Sequence, residues 1–379
     1  MGNHLLDFLI GGDGVNKIGL YIHIPFCKSK CPYCDFYSLR KGRLDGEQYA
    51  CAVKRSLKKW AESTDKKADT LYFGGGTPSL MGGDKISEMV TAAKESFVCD
   101  GEITVECNPS CIEEDFFKKI ALAGVNRISL GMQSAVNDER KRLGRLADVR
   151  AVEGAIRLAQ NAGIDNISLD VMLGIPGQNP KSLEETLSFC VSSGAKHISA
   201  YMLKLEEGTW FYENAQKLNL PDDDLTADMY LQMVDFLGNN GFEQYEISNF
   251  AKVGYESRHN LKYWNCEEYL GIGPSAHSFL DGKRFYYPRD ISFFERGEPP
   301  VDDGDGGEQE EYIMLRLRLS EGLVFEQCEK RFADFYKKEY LEKVEPLKRA
   351  GLVRADEKSI SLTPRGFLIS NAVIEKIIF

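Results

Sequence analysis

Three cysteines near the start of the chain have a spacing that suits metal chemistry. Cys27, Cys31 and Cys34 form a CxxxCxxC loop directly after a predicted strand. Three thiolates at this spacing can hold three irons of a [4Fe–4S] cluster, which leaves the fourth iron without a ligand from the loop. A structural zinc site normally needs a fourth Cys or His nearby, and none follows within the next fifteen residues. The loop therefore predicts a cluster with one iron open to a small ligand.

Two further segments have residue types that could hold a small cofactor. The turn Gly74-Gly75-Gly76-Thr77 ends the second predicted strand. Its backbone can approach a ligand closely, with amide groups for a carboxylate and carbonyl groups for an amine. Glu106 ends the third predicted strand, where a carboxylate suits ribose hydroxyls. An ordinary glycine turn and a solvent-facing glutamate are the alternatives.

A histidine later in the chain stands among aromatic residues. His259 opens the segment His-Asn-Leu-Lys-Tyr-Trp. An imidazole can be an axial ligand of heme iron, and Tyr263 and Trp264 offer apolar surface to a porphyrin face. A histidine in such surroundings is more often a packed side chain, so both interpretations stay open at this level. His277 is a second candidate ligand.

Six short β-rich runs, each followed by helical sequence, must position these residues. The runs are 18–24, 70–73, 103–106, 126–130, 166–171 and 197–202. Such a βα repeat predicts a parallel sheet in an α/β fold, either open and doubly wound or closed into a barrel. Glycines and polar residues follow nearly every strand. This favours a partial (β/α)6 barrel whose carboxyl-end rim holds the active site.

The sequence pattern changes after residue 250, so we expect two domains. Residues 1–250 would form the partial barrel, and residues 251–379 a smaller α+β domain. We expect the His259 motif to lie in this second domain, outside the barrel core. The acidic, glycine-containing stretch 302–311 indicates a solvated linker or a helix start. Helical runs and two short strands beyond it predict a winged-helix-like unit.

Composition excludes several classes of protein. The chain has 379 residues, of which 43% are hydrophobic and 28% charged, so a large core needs no disulfide staples. A net charge of -11 argues against nucleic acid as the main partner. We find no secretory or lipid-anchor signal at residues 1–7 and no apolar run long enough to span a bilayer. With ten scattered cysteines, these features predict a cytoplasmic protein.

The cysteine loop in this setting resembles the radical S-adenosylmethionine superfamily. There the open iron chelates S-adenosylmethionine, and an electron from the reduced cluster splits the sulfonium to give a 5′-deoxyadenosyl radical. Over nearly the whole chain the resemblance narrows to the oxygen-independent coproporphyrinogen oxidase-like family, which includes heme chaperones. It rests on Tyr21, the turn at 74–79, Glu106, Gln133, Arg145 and Asp170.

This resemblance implies specific cofactor contacts. It implies that the three loop cysteines bind the cluster and that one or two molecules of S-adenosylmethionine bind beside it. The first molecule would contact Tyr21, Gly75 and Glu106. The second would be lined by Tyr33, Gly76, Thr77, Gln133, Arg145 and Asp170.

One departure from the family pattern separates two functions. The coproporphyrinogen dehydrogenase has a fourth cysteine two residues after the third, where this chain has Phe36. Chaperone-type members carry instead a His-Asn-x-x-Tyr-Trp motif, which this chain has, and the resemblance implies that His259 binds heme. The favoured function is a heme chaperone that transfers heme to acceptor proteins. The alternatives are radical oxidative decarboxylation of coproporphyrinogen III to protoporphyrinogen IX and, least favoured, a scaffold with a structural cluster.

The favoured function implies particular partners. These are heme-acceptor proteins, a reductant for the cluster and a peripheral membrane contact during heme transfer. No nucleic acid is expected, because the acidic remainder of the chain would repel a duplex despite the basic excess in residues 330–379.

Overall fold

The computed structural model describes residues 17–40, 46–145 and 147–379. The signals considered at residues 1–7 lie outside the described residues. The strands are β1 (Lys17–Ile24), β2 (Phe26–Cys27), β3 (Leu39–Arg40), β4 (Lys67–Gly75), β5 (Glu102–Cys107), β6 (Arg127–Gln133), β7 (Asn166–Leu173), β8 (His197–Met202), β9 (Glu243–Gln244), β10 (Asn249–Ala251), β11 (Tyr269–Ile272), β12 (His277–Leu280), β13 (Lys283–Tyr286), β14 (Val301–Asp305), β15 (Leu323–Val324), β16 (Val353–Ala355) and β17 (Ser359–Leu362).

Helices alternate with these strands and make up most of the last part of the chain. They are α1 (Gly46–Ala61), α2 (Gly83–Phe97), α3 (Phe116–Ala123), α4 (Asn137–Arg142), α5 (Val149–Asn161), α6 (Pro180–Ser192), α7 (Trp210–Glu213), α8 (Asp223–Asn239), α9 (Arg258–Trp264), α10 (Ile291–Glu295), α11 (Gln309–Arg316), α12 (Phe325–Arg331), α13 (Lys337–Arg349), α14 (Pro364–Leu368) and α15 (Ser370–Ile378). Within the described ranges, every helix is too short or too polar to cross a bilayer.

Six parallel strands form the centre of the molecule. They lie side by side in the order β1, β4, β5, β6, β7 and β8, and every neighbouring pair is parallel. Each is one of the six strands predicted from the sequence, with ends that differ by three residues at most. The predicted α/β fold with a partial (β/α)6 barrel is therefore confirmed.

Local sequence signals begin and end the helices that cover the barrel. The Asp148 side chain accepts a hydrogen bond from the Ala151 N–H at the start of α5. Asn179 caps α6 in the same way, and Pro180 occupies its first turn, where no N–H is needed. Gly124 ends α3 with a φ of 108°, a left-handed conformation that glycine adopts without strain.

The two faces of the barrel strands differ in polarity. On β1, Ile18, Leu20 and Ile22 are fully buried in the apolar core that the strands share with the helices. The alternate residues Gly19 and Tyr21 face the barrel interior, because side chains alternate between the two faces of a strand. Parallel strands covered on both faces are usually apolar throughout. The polar residues on the inner face therefore indicate that the barrel interior contains the functional site.

Helix α9 closes the amino end of this interior. The Glu102 carboxylate, at the start of β5, accepts hydrogen bonds of 3.1 Å from the backbone N–H groups of Arg258 and His259. The buried Lys262 ammonium forms an ion pair of 2.9 Å with Asp69, at the start of β4. The prediction that the His259 motif lies outside the barrel core is wrong, because the polar starts of the strands need these partners from a later segment.

The sheet continues across the predicted domain boundary at residues 250 and 251. Strand β10 pairs with β8 at one edge. At the other edge β11 adds to β1 in parallel, and β12, β13 and β14 extend the sheet further. The stretch predicted as a linker or helix start contains exposed β14 and the start of α11. After it, α11–α15 surround a separate sheet in the order β15, β17, β16, in the region predicted to be winged-helix-like.

We expect Glu102→Ala to lower the free energy of unfolding by about 2–3 kcal/mol. The two N–H groups at the start of α9 would lose a charged acceptor in a buried position. Chemical denaturation beside Glu114→Ala, which removes an exposed carboxylate, measures the difference. Equal stability of the two variants would contradict the role of Glu102 in holding α9.

Candidate functional site

A cavity of about 530 Å³ opens at the carboxyl ends of the barrel strands. The βα loops meet at this end, so residues distant in sequence come together there. Tyr21 and His259, unlike the other predicted site residues, do not line it. The predicted residues that line it are Cys27, Cys31, Tyr33, Cys34, Gly75, Gly76, Thr77, Glu106, Gln133, Arg145 and Asp170.

The cysteine loop forms one end of the cavity. All three thiols are half-buried, and the Cys34 N–H donates to the Cys31 carbonyl over 3.1 Å. Burial raises the pKa of the Cys34 thiol, and the neighbouring thiols of Cys31 and Cys27 raise it further. Within the described residues, no three Cys, His, Asp or Glu side chains are arranged to hold a single metal ion. Ligands of separate irons in a cubane need no common centre, so the loop fits a [4Fe–4S] cluster.

The glycine turn beside the loop is shaped by close packing. Gly75 has a φ of 108°, and a Cβ there would lie 2.5 Å from the His23 ring. A Cβ on Gly76 would lie 2.7 Å from the Phe26 carbonyl oxygen. Both positions therefore require glycine, since backbone or a held ring would have to move to admit any side chain.

The backbone N–H groups of this turn are already used within the protein. Gly75 donates to the Glu106 carboxylate over 3.2 Å. Gly76 and Thr77 donate to the carbonyl groups of Ile24 and Phe26 over 2.8 and 2.7 Å. The prediction that these amides bind a ligand carboxylate is wrong, because they hold the turn to the end of β1. The carbonyl groups of the turn are the part that suits an amine.

Two carboxylates project into the cavity, that of Glu106 from β5 and that of Asp170 from β7. Glu106 accepts a 2.9 Å hydrogen bond from the Tyr72 hydroxyl, and burial with the nearby charge of Asp170 raises its pKa to about 7. Asp170 accepts a 2.8 Å hydrogen bond from the Ser129 hydroxyl, and burial raises its pKa to about 6. Both groups can therefore accept from hydroxyl or ammonium groups of a cofactor and can change protonation near neutral pH.

An arginine and a strained glutamine complete the lining. The Arg145 guanidinium donates to the Tyr33 hydroxyl from Nη2 and Nε over 2.9 and 3.2 Å. This places a positive charge where the carboxylate of a cofactor can pair with it. Gln133 is buried at the end of β6 with a φ of 71°. A non-glycine residue in this region costs about 1–3 kcal/mol, a strain that is common at functional sites.

Tyr21 supports the cavity without lining it. Its hydroxyl donates to His23 Nδ1 over 3.0 Å, and His23 Nε2–H donates to the Tyr37 carbonyl over 2.9 Å. Burial lowers the pKa of His23 to about 4, so the ring is neutral at pH 7. The His23 ring lies directly beneath Gly75. The structure thus gives Tyr21 an indirect role and does not place it in the expected contact with a cofactor.

His259 is enclosed in the barrel floor. Its Nδ1 is 2.8 Å from the Thr70 hydroxyl and its Nε2 is 2.8 Å from the Tyr263 hydroxyl. The residue is 1% exposed, and burial with the nearby Lys262 charge lowers its pKa to about 3. In this closed arrangement both ring nitrogens are hydrogen-bonded within the protein. That His259 binds heme therefore stays a prediction, and His277, the second candidate, is exposed and stacks on Tyr286.

Several residues that line or support the cavity were not predicted from the sequence. Tyr72 and Ser129 share the inward register of Glu106 and Asp170, so strict two-residue alternation along the strands could have identified them. The sequence carries no comparable signal for the lining residues that lie beyond the regular part of a strand. Those residues are Asn108, Ser110 and Glu206.

Comparison with known proteins agrees with this geometry. The family description of the radical SAM superfamily matches residues 21–190, and that of the HemN C-terminal domain matches residues 309–369. The chain is 34% identical to the heme chaperone HemW of Bacillus subtilis, over 93% of this chain and 97% of the relative. It is 32% identical to the heme chaperone HemW of Lactococcus lactis, over 94% and 96%.

A solved structure shares the same overall fold. Coproporphyrinogen III oxidase (HemN) from Escherichia coli superposes with a TM-score of 0.81, at 22% identity, over 100% of this chain and 94% of that one. At this level of identity the similarity concerns the fold.

We expect Cys27→Ala, Cys31→Ala and Cys34→Ala each to abolish cluster binding, since each removes the ligand of one iron. Iron content and visible absorbance after anaerobic reconstitution measure the cluster. The exposed Cys51 provides a control, and Cys51→Ala should load normally. A full cluster in any of the three loop variants would remove that cysteine from the ligand set.

The raised pKa values of Glu106 and Asp170 predict a pH dependence of stability in the cofactor-free chain. Unfolded carboxyl groups lose their protons near pH 4, whereas these two keep them until about pH 6 and 7. At these two groups the folded state therefore binds more protons in this window, so their contribution to the free energy of unfolding falls as pH rises from about 5 to 7. The buried rings of His23 and His259, whose pKa values are lowered to about 4 and 3, contribute in the opposite direction.

Glu106→Gln should remove the contribution of Glu106, because the amide does not ionise, so the stability of this variant relative to wild type should increase from pH 5 to pH 8. Denaturant titrations at pH 5, 6, 7 and 8 measure this difference, and Glu114→Gln at an exposed position should show none. A difference between Glu106→Gln and wild type that does not change with pH would contradict the raised pKa of Glu106.

Proposed function

Because this chain belongs to the family of the heme chaperone HemW, within the radical S-adenosylmethionine superfamily, we propose that it binds heme and passes it to acceptor proteins. Relatives that carry this name match the chain over almost its full length. The superfamily uses a [4Fe–4S] cluster and S-adenosylmethionine as cofactors, and the lining of the cavity fits both.

The residues of the cavity have distinct parts in this proposal. Cys27, Cys31 and Cys34 bind the cluster, which when reduced supplies an electron to the bound sulfonium. Arg145 attracts the carboxylate of the cofactor and holds it beside Tyr33. The carbonyl groups of the glycine turn suit its amine. Glu106 and Asp170 suit its ribose hydroxyls and amine, according to their protonation.

The choice of a heme chaperone over a coproporphyrinogen dehydrogenase rests on Phe36. It lies two residues after the last cluster cysteine, lines the cavity and is 67% exposed. A phenyl ring has no S–H group to donate a proton or bind a metal. Where the dehydrogenase has a fourth cysteine, this chain therefore has only an apolar surface, which supports binding without decarboxylation.

A second candidate function is the oxygen-independent oxidative decarboxylation of coproporphyrinogen III. The observation in its favour is that the residues expected around a second S-adenosylmethionine, among them Gln133 and Arg145, lie together in the cavity. The same residues would equally bind the cofactor in a chaperone that uses it for regulation. They therefore do not favour decarboxylation over the chaperone function, which Phe36 supports.

The partners proposed for this function are heme-acceptor proteins and a reductant for the cluster. A peripheral membrane contact belongs to the same proposal, since many heme acceptors lie in membranes. We also propose a cytoplasmic location. All ten cysteines are free thiols, which supports a reducing compartment.

We expect the reconstituted wild-type chain to bind hemin, to release it to apomyoglobin and to leave coproporphyrinogen III unchanged. Hemin titration followed at the Soret band measures binding, and chromatography of the anaerobic reaction measures decarboxylation. Protoporphyrinogen formation at the rate of a coproporphyrinogen dehydrogenase assayed in parallel would make the chain an enzyme. Absence of any Soret change would remove the chaperone function.

A further inference from the structure

A second, smaller apolar core packs against the cysteine loop and is separate from the main core of the molecule. Its buried members are Leu143, Met172, Ile175 and Phe211, which we call the loop core. The ring of Tyr33, which lies between two of the three loop cysteines, packs against it. The main core supports the barrel strands, whereas the loop core supports the loop itself. Packing in the loop core therefore affects where the side chains of the cysteine loop lie.

Phe211 enters the loop core from the four-residue helix α7. Of these four residues, all of which the structure describes, Phe211 is the one that is buried, at 1% exposure, whereas Trp210 and Tyr212 are 51% and 49% exposed. The Thr209 hydroxyl caps the start of α7, because it accepts from the Tyr212 N–H over 3.3 Å and donates to the Glu206 carbonyl over 2.6 Å. A short exposed helix is thereby fixed so that one aromatic ring points inward.

Phe211 is joined to the cysteine loop through both its backbone and its ring. Its N–H donates to the Pro32 carbonyl over 3.0 Å, and its ring centre lies 6.1 Å from that of Tyr33. The segment before Arg145 also packs against the loop, since a Cβ on Gly144 would lie 3.1 Å from Pro32 Cδ. The loop is thus held by two segments of the chain, one that follows β6 and one that follows β8.

Tyr33 connects this packing to the cavity. Its hydroxyl accepts a hydrogen bond of 2.9 Å from Arg145, whose guanidinium is the group that attracts the cofactor carboxylate in the proposed function. The Tyr33 side chain is therefore held at two places, at its ring by Phe211 and at its hydroxyl by Arg145. Groups that bind a ligand keep their geometry only when the residues around them are locked by packing and hydrogen bonds.

We propose that Phe211 is a positioning residue for S-adenosylmethionine, which acts by holding Tyr33 and, through it, Arg145. This rests on the cofactor contacts of the proposed function and adds to them a residue that does not itself line the cavity. A smaller side chain in place of Phe211 would leave a gap beside the Tyr33 ring. The ring could turn into this gap, and Arg145 would lose its fixed partner. Cofactor affinity should then fall although the three cluster ligands are unchanged.

The test is the affinity of the full-length chain for radiolabelled S-adenosylmethionine, measured by equilibrium dialysis after anaerobic cluster reconstitution. We expect Phe211→Leu to raise the dissociation constant about tenfold at normal iron content, since loss of a residue that supports a site commonly costs this much. Two controls should bind the cofactor like wild type. Tyr212→Ser changes an exposed side chain of the same helix, and Phe242→Leu makes the same substitution at a fully buried position of the main core.

A double-mutant cycle tests whether Phe211 acts through Tyr33. Tyr33→Leu alone should weaken cofactor binding, and Phe211→Leu should then add little, because the ring that it positions is absent. The electron paramagnetic resonance spectrum of the reduced cluster gives a second readout. In Phe211→Leu this spectrum should need a higher concentration of S-adenosylmethionine than in wild type to reach its cofactor-bound form. A merely less stable fold would produce neither result.

Three results would overturn the role of Phe211. They are unchanged cofactor affinity in Phe211→Leu, additive effects in the cycle with Tyr33→Leu, and loss of the cluster in Phe211→Leu, which would make the residue a support of the whole loop. A wild-type chain that holds its cluster but does not bind S-adenosylmethionine would remove both the role and this cofactor of the proposed function. Failure of the chaperone function itself would appear in the hemin titration of the wild type, which is independent of these variants.

Discussion

Buried polar side chains on the inner face of six parallel strands each need a hydrogen-bond partner, and this need shapes both ends of the barrel. On the outer face the same strands supply isoleucine, leucine and valine to a continuous apolar core. That core contains most of the buried apolar side chains of these strands. The interior is thereby free to carry tyrosine, glutamate, aspartate and arginine, whose burial is costly unless they are bonded.

At the amino end the requirement is met by the protein itself. Helix α9 places His259 against Thr70 and its own first N–H groups against Glu102, so these groups at the floor of the barrel are hydrogen-bonded within the protein. A motif that looks like a heme site in sequence thereby becomes part of the barrel. Burial lowers the pKa of its histidine to about 3, so the enclosed ring is neutral.

At the carboxyl end the requirement is met only in part by the protein. Glu106 and Asp170 have raised pKa values because burial outweighs the hydrogen bonds they accept. Arg145 has a tyrosine hydroxyl as its partner instead of a carboxylate. In the proposed function a charged cofactor would supply the missing partners, which links the chemistry of the cavity to the same constraint.

The sequence by itself determined the six barrel strands, the cluster loop and eleven of the residues that line the cavity. This was possible because βα periodicity and strand-end motifs are local, and because parallel strands bring their carboxyl ends to one edge. Only the tertiary structure decided that β11 joins β1 across the expected domain boundary, and that His259 fills the floor. Those placements depend on which distant segment satisfies an exposed strand edge or a buried polar group. Residue type and spacing within a segment do not encode that choice, because it is made by contacts between residues nearly two hundred positions apart, such as Thr70 and His259.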